Sequence, residues 1–306
     1  MNAPTEAKLA HQLFSVNPHP QHDRLRKIEL SEDAIDGFLE AVKHIDVQNL
    51  QYVPFMRFIL GQELDRALGG NFGSTISQLA QDRSSGGFTV GVQGVTTNSD
   101  DYVKFGTAVG HLLGPSNHDA MSGTYYARFL VKDTDSSDSY LRQAYRLFTL
   151  HTDGTYVEEE THWLLMMKFE EKNAVGGESR LMHIDDWKER DEFALAPMGA
   201  LPFQYKSPGS KNVSATVERP LFFHSKFGLA MSFIDQFVQP RNTTEARFLH
   251  DMSASMEQSP ATKEISLPVG DLVVANNYFW LHGRAPFEKN PELHRELMRQ
   301  RGTFAE

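Results

Sequence analysis

The sequence predicts a mixed α/β chain with a mainly β core, a jelly roll or barrel flanked by helices. Three observations carry this. Up to about residue 115, apolar residues recur at helical spacing. From about residue 122, short runs rich in β-forming residues alternate with Gly, Pro, Asn and Asp. No internal repeat, low-complexity tract or linker-like break in composition divides the chain.

Residues 1–24 are polar, with Pro4, Pro18 and Pro20, and read as a poorly ordered lead-in. Residues 25–306 read as a single domain, helical to about 115 and β-rich over 120–306. Ser31 is placed to cap a helix whose Ile35, Phe38, Leu39 and Val42 fall on one face. A second helical pattern runs through Phe55, Phe58, Ile59 and Leu64 and ends near Gly69-Gly70. A third, Asp101 to Leu113, carries Val103, Phe105, Val109 and Leu112 and stops at Gly114-Pro115. Strands are expected at Tyr125–Val131, Trp163–Phe169, Pro220–Phe223, Leu229–Ile234, Ile265–Val269 and Leu272–Ala275. The stretch 185–198 reads as a short helix with Asp185 at its start.

Composition narrows the function. Thirty Lys and Arg stand against 40 Asp and Glu, a formal charge of −10, which argues against a nucleic-acid or anionic-membrane binder. Any anionic ligand must then be drawn in by a local basic site. The absence of cysteine excludes disulfides, thiolate zinc sites, iron–sulfur clusters and cysteine nucleophiles. No signal-peptide h-region and no run of membrane-spanning length is present, so a cytoplasmic location is expected.

His-x-Asp occurs three times. His44-Ile45-Asp46 ends the first helix, where a histidine meets the negative pole of the helix dipole. His183-Ile184-Asp185 ends a strand, and Asp185 reads as the cap of the following helix. His151-Thr152-Asp153 differs: in an extended segment its two side chains share a face, and Gly154 lets the backbone turn beside them. Alone it reads as well as a solvated loop pair. A distant histidine, His282, ends the apolar run Asn277-Tyr278-Phe279-Trp280-Leu281 and completes a two-His-one-carboxylate set, the form that binds one face of a non-haem Fe(II).

Arg295, Arg299 and Arg301 share parity, so on a strand all three project to one face. Guanidinium groups grip carboxylates bidentately, and three exceed the need of one keto acid, so a second carboxylate-bearing ligand is expected. Gly176-Gly177-Glu178-Ser179 places a hydroxyl after a glycine turn, where it could join an arginine at a carboxylate.

With these residues in hand, the chain resembles the carbon-starvation-induced glutarate 2-hydroxylases, a branch of the Fe(II)/2-oxoglutarate-dependent dioxygenases related to taurine dioxygenase. The matching runs are Asp119–Gly123, Tyr125–Phe129, Ser137 with Tyr140–Gln143, His151–Glu159, Ser210–Ser214, Ile234–Pro240, Phe279–Arg284 and Arg295–Gly302. The resemblance implies a double-stranded β-helix with His151, Asp153 and His282 on Fe(II). It also implies 2-oxoglutarate held by Arg295 and Ser179, with Arg299 and Arg301 for the substrate carboxylates. The implied reaction consumes O2 and 2-oxoglutarate, releases succinate and CO2, and hydroxylates glutarate at C2 to L-2-hydroxyglutarate. Tetramers are typical of the family. Two alternatives stay open: the same iron chemistry on another small acid or amine, and a non-catalytic dicarboxylate sensor.

Overall fold

The computed structural model describes residues 13–92, 94–133, 144–207 and 216–306. The runs Ser137–Gln143 and Ser210–Ser214, and the first 12 residues of the expected lead-in, lie outside the described residues. In chain order the elements are β1 (Phe14–His19), β2 (His22–Leu30), α1 (Glu32–Val42), α2 (Val47–Tyr52), α3 (Pro54–Ala67), α4 (Phe72–Gln81), β3 (Gly87–Gly91) and α5 (Ser99–Leu113). There follow β4 (Tyr126–Lys132), β5 (Phe148–His151), β6 (Trp163–Lys172), β7 (Ser179–His183), α6 (Arg190–Ala194), β8 (Pro202–Lys206), β9 (Thr216–Pro220), β10 (Phe222–Ser225) and β11 (Gly228–Met231). The chain closes with β12 (Val238–Gln239), α7 (Thr243–Gln258), β13 (Lys263–Ile265), β14 (Asp271–Asn276), β15 (Trp280–Arg284) and β16 (His294–Gly302).

A seven-stranded sheet, in the order β1-β2-β3-β14-β6-β16-β4, and a four-stranded sheet, β13-β7-β15-β5, supply the walls of the site. Period-2 alternation sorts each strand between two environments. On β14, Leu272 and Val274 join the core beneath the N-terminal helices, whereas Val273 and Ala275 join the core shared with β7, β15 and α7. Helix α5 is buried nearly all round and lies on the outer face of the larger sheet. It packs closely because a side chain at Gly106 would meet Met298 Cε at 2.3 Å. The result is a mixed α/β chain with a sheet-rich core and helices outside, as the sequence predicts.

Several elements depart from expectation. Residues 14–24, read as disordered, belong to the hairpin of β1 and β2, and β2 pairs in parallel with β3. Its buried apolar anchors are few, chiefly Leu25 and Ile28, and the solvent-facing residues mask the strand pattern. Helix α3 forms, but Phe55, Phe58 and Ile59 are exposed, and it is Leu60, Gly61 and Leu64 that face inward toward α5. Asp185 caps no helix. His183 Nδ1 accepts the Asp185 N–H at the 3-10 turn Ile184–Asp186, and the Asp185 carboxylate is held by Arg83 and Arg190. The expected strand Ile265–Val269 is only Lys263–Ile265, since Val269 is exposed near the turn at Gly270.

Buried histidines give the fold an acid-labile edge. His111 and His183 are each pushed down to about 4, mainly by burial. The unfolded chain then binds more protons below pH 6.5, so stability is full above that value and falls as pH drops toward 4. Each histidine contributes a slope of about 1.4 kcal/mol per pH unit in that window. Urea unfolding of the metal-free protein is expected to show a clearly lower midpoint at pH 5 than at pH 7; equal midpoints would contradict this.

Candidate iron and dicarboxylate site

Strand pairing brings two distant histidines together. β5 and β15 are antiparallel neighbours in which His282 pairs directly with His151, so both imidazoles stand on one face with ring centroids 4.1 Å apart. Asp153 follows on the loop after β5. Gly154 makes that loop possible: its φ is +76°, and a Cβ would lie 2.3 Å from Thr161 Oγ1. Asn277 fixes the loop from the other side. Its Oδ1 accepts the Asp153 N–H at 2.8 Å, and its Nδ2 donates to the carbonyls of Asp153 and Thr161 at 3.0 and 2.9 Å.

Asp153 Oδ1 lies 3.9 Å from His151 Nε2 and 4.0 Å from His282 Nε2. All three ligand atoms fall within 4.8 Å of one another, the one such cluster among the described residues. His44 and His183 join no such cluster there; Asp46 instead caps α2 by accepting the Gln48 N–H. His151 Nδ1 donates to the Thr149 carbonyl at 2.8 Å, which fixes the tautomer and leaves Nε2 with a free lone pair.

The electrostatics suit a divalent cation. Burial lowers the His151 value, and burial with His151 beside it takes His282 down to about 3, so both rings are neutral at pH 7. Burial alone would raise Asp153, but Arg299, His282, His151 and Arg301 outweigh it and keep the carboxylate ionised, well below its usual range. Two neutral imidazoles and one carboxylate are the donor set a facial Fe(II) site requires.

A cavity lies between the two sheets beside these residues. Its walls are His151, Ser179, His282 and Arg284 from the smaller sheet and Phe129, Met166, Arg295, Leu297 and Arg299 from the larger. Arg295 is 2% exposed, lies over the Phe287 ring and donates through Nη1 to the Gly177 carbonyl, while its Nε finds no hydrogen-bond partner. A buried guanidinium donor left open is what a carboxylate ligand would fill. Gly177 sits at φ +73°, and a Cβ there would strike Phe287 at 2.0 Å. Gly177→Ala is therefore expected to cost about 1–3 kcal/mol in chemical denaturation. Because Phe287 and the Gly177 carbonyl seat Arg295, 2-oxoglutarate binding should weaken too; unchanged binding would separate the turn from that arginine.

Arg299 is more heavily engaged than its place in the sequence suggests. Its Nη2 donates to Asp119 Oδ2 at 2.6 Å, and its Nη1 lies 3.1 Å from Asp153 Oδ2. The second contact is an ion pair without hydrogen-bond alignment, since Asp153 Oδ2 has no hydrogen-bond partner. Asp119, held by the Met121 and Ser122 amides, is a site residue that sequence reasoning missed, as are Asn277 and Arg284. Asp119 also reduces the cationic surplus inferred from the three arginines. Arg301 does not line the cavity. It is buried behind Asp153, with Nη1 3.5 Å from where a Gly154 Cβ would stand, and neither its Nε nor its Nη1 has a hydrogen-bond partner.

The chain is similar to known proteins. The family model described as CsiD matches residues 14–304. A curated relative from Klebsiella pneumoniae (strain 342), named glutarate 2-hydroxylase, is 45% identical over 99% of this chain and 94% of its own length. Among solved structures, asparagine oxygenase in complex with Fe(II), 2S,3S-3-hydroxyasparagine and succinate superposes with a TM-score of 0.71 at 12% identity. That match covers 91% of this chain and 93% of the other. The non-heme iron oxygenase OrfP in complex with Fe and alpha-ketoglutaric acid gives a TM-score of 0.66 at 14% identity, covering 90% and 94%. At such identities the structural matches speak for the fold alone. The family match spans nearly the whole chain, including every residue of the candidate site, and on that ground this chain belongs to the CsiD family.

Proposed function

We propose that the chain is an Fe(II)- and 2-oxoglutarate-dependent dioxygenase that hydroxylates glutarate at C2 to L-2-hydroxyglutarate, with release of succinate and CO2. The observation that carries this is His151, Asp153 and His282 converging beside a cavity lined by Arg295 and Ser179. The glutarate 2-hydroxylase name of the Klebsiella relative supports the substrate. Fe and alpha-ketoglutaric acid in the OrfP complex, and Fe(II) and succinate in that of asparagine oxygenase, support the cofactor and co-substrate. We read the facing sheets as a double-stranded β-helix.

His151, Asp153 and His282 would hold the iron, leaving its other positions open. When bound, iron with 2-oxoglutarate and O2 supplies the oxidant for an unactivated C–H bond. The chain's own residues bind and orient. Arg295 and Ser179, both in the cavity lining, would anchor the far carboxylate of 2-oxoglutarate. Arg299 draws a glutarate carboxylate to the side of Asp153, with Asp119 restraining it, while Arg301, behind Asp153 and outside the cavity lining, adds only its charge. Phe129, Met166 and Leu297 give the cavity an apolar wall that excludes water and suits a methylene chain.

Succinate release measured across C4–C6 dicarboxylates, taurine and γ-butyrobetaine tests the assignment. Glutarate is expected to give the highest kcat/KM; no stimulation by glutarate would remove it as the substrate. A homotetramer in the cytoplasm goes with this reading. Among the described residues no helix is long and apolar enough to cross a membrane, and light scattering would give the assembly state.

A further inference from the structure

Among the described residues β5, which carries His151, is the edge strand of its sheet, with β15 as its sole neighbour. That pairing is short and irregular: His282 pairs with His151 and Arg284 with Phe148, with a shift between them. At the shift the two strands crowd together, since a Cβ at Gly283 would stand 2.4 Å from the Phe148 carbonyl oxygen. So short an edge pairing fixes its strand weakly.

The outer edge of β5 is secured by another part of the chain. Leu150 and Thr152, which flank His151, both turn their amides away from β15. The Leu150 N–H donates to Glu257 Oε1 at 2.6 Å and the Thr152 N–H to the Phe233 carbonyl at 2.8 Å. Thr149 Oγ1 donates to Asp235 Oδ2 at 2.8 Å. Glu257, at the C-terminal end of α7, is itself anchored: its Oε2 accepts from Arg180 Nη1 at 2.6 Å. Arg180 lies on β7 opposite Gly283, and both side chains of the pair are largely buried, 8% and 16% exposed. A single carboxylate thus ties the edge strand to β7 across β15.

We propose that Glu257 is a positioning residue for the iron site, setting the His151 imidazole against His282 through the Leu150 amide. The proposal rests on His151, Asp153 and His282 binding iron. Its physical content is that the backbone on either side of a ligand is hydrogen-bonded from outside, so the ligand's place does not depend on two strand pairs alone. Partners behind a metal ligand typically change metal affinity about 10–100-fold when removed.

Anaerobic Fe(II) titration by calorimetry of the native chain, Glu257→Ala and Glu257→Gln tests this, with thermal melts of each metal-free protein alongside. Glutamine keeps one acceptor oxygen for the Leu150 N–H but turns an NH2 toward Arg180, losing both the charge and the acceptor that Arg180 uses. Glu257→Ala is expected to bind Fe(II) about tenfold or more weakly, and Glu257→Gln to recover part of that loss. Native affinity in Glu257→Ala would overturn the proposal even if its melting temperature fell, as would Glu257→Gln binding no better than the alanine variant. Should Glu257→Ala fail to fold, amide exchange in the native chain decides. By reciprocity, iron must slow exchange at Leu150, and equal exchange with and without Fe(II) would overturn the proposal. A native chain that bound no Fe(II) would instead sink the iron-site reading itself.

Discussion

Asp153→Ala is expected to lower glutarate-dependent succinate formation by more than ~1000-fold, about 4 kcal/mol of activation free energy, and to leave the purified protein without stoichiometric iron. The reason is charge as much as ligand count. Asp153 is the only anion of the three-residue set, and it stands between a divalent cation and the guanidinium groups of Arg299 and Arg301. Without it, two neutral imidazoles must hold the ion while two buried cations repel it, with Asp119 alone to offset them. Iron content and steady-state rate measured on the same preparation check this. Full iron loading with native turnover would show that the carboxylate is dispensable.

Arg295→Ala carries the second large expected effect, on KM for 2-oxoglutarate. Removing one partner of a buried, hydrogen-bonded charge pair costs about 2–5 kcal/mol, so KM is expected to rise by roughly 30-fold or more. Arg295→Lys should recover only part, because a lysine ammonium cannot reproduce the fork that Arg295 presents between Gly177 and the cavity. KM for glutarate should change much less. A rise confined to glutarate would exchange the roles of Arg295 and Arg299.

Local pattern made some of this site legible and long-range pairing hid the rest. His151 and Asp153 could be read from spacing, since residues two apart in extended backbone share a face. The parity of Arg295 and Arg299 likewise survives, because β16 is long and pairs regularly with β4. What no local pattern shows is that β5 lies against β15, so His282 could be joined to the pair only as the third member of a donor set, with no register to place it. Asp119 was illegible for the same reason: it sits on a turn and meets Arg299 from far away in sequence. Arg301 shows the limit of a parity argument. It stands on the expected side of β16, yet the strand has by then run past the cavity to the back of Asp153.

The fold divides similarly. Helix α5 was readable because Val103, Phe105, Val109 and Leu112 recur along it and Gly114 stops it at φ +150°. The hairpin of β1 and β2 was not, because a half-exposed edge hairpin keeps a polar composition. Helix α7 did leave a signal that could have found it. The Asn242 side chain accepts the Glu245 N–H while Glu245 reaches back to the Arg241 N–H, close to a capping box. Leu249, Met252 and Met256 then follow at helical spacing.

The most direct test of the central claim is an anaerobic titration of the metal-free protein with Fe(II) and 2-oxoglutarate, followed by visible absorbance. One iron per chain is expected, with a charge-transfer band from the bound keto acid that is lost in His151→Ala and Asp153→Ala. A band of native intensity in both variants would place the iron elsewhere and remove His151 and Asp153 from its site.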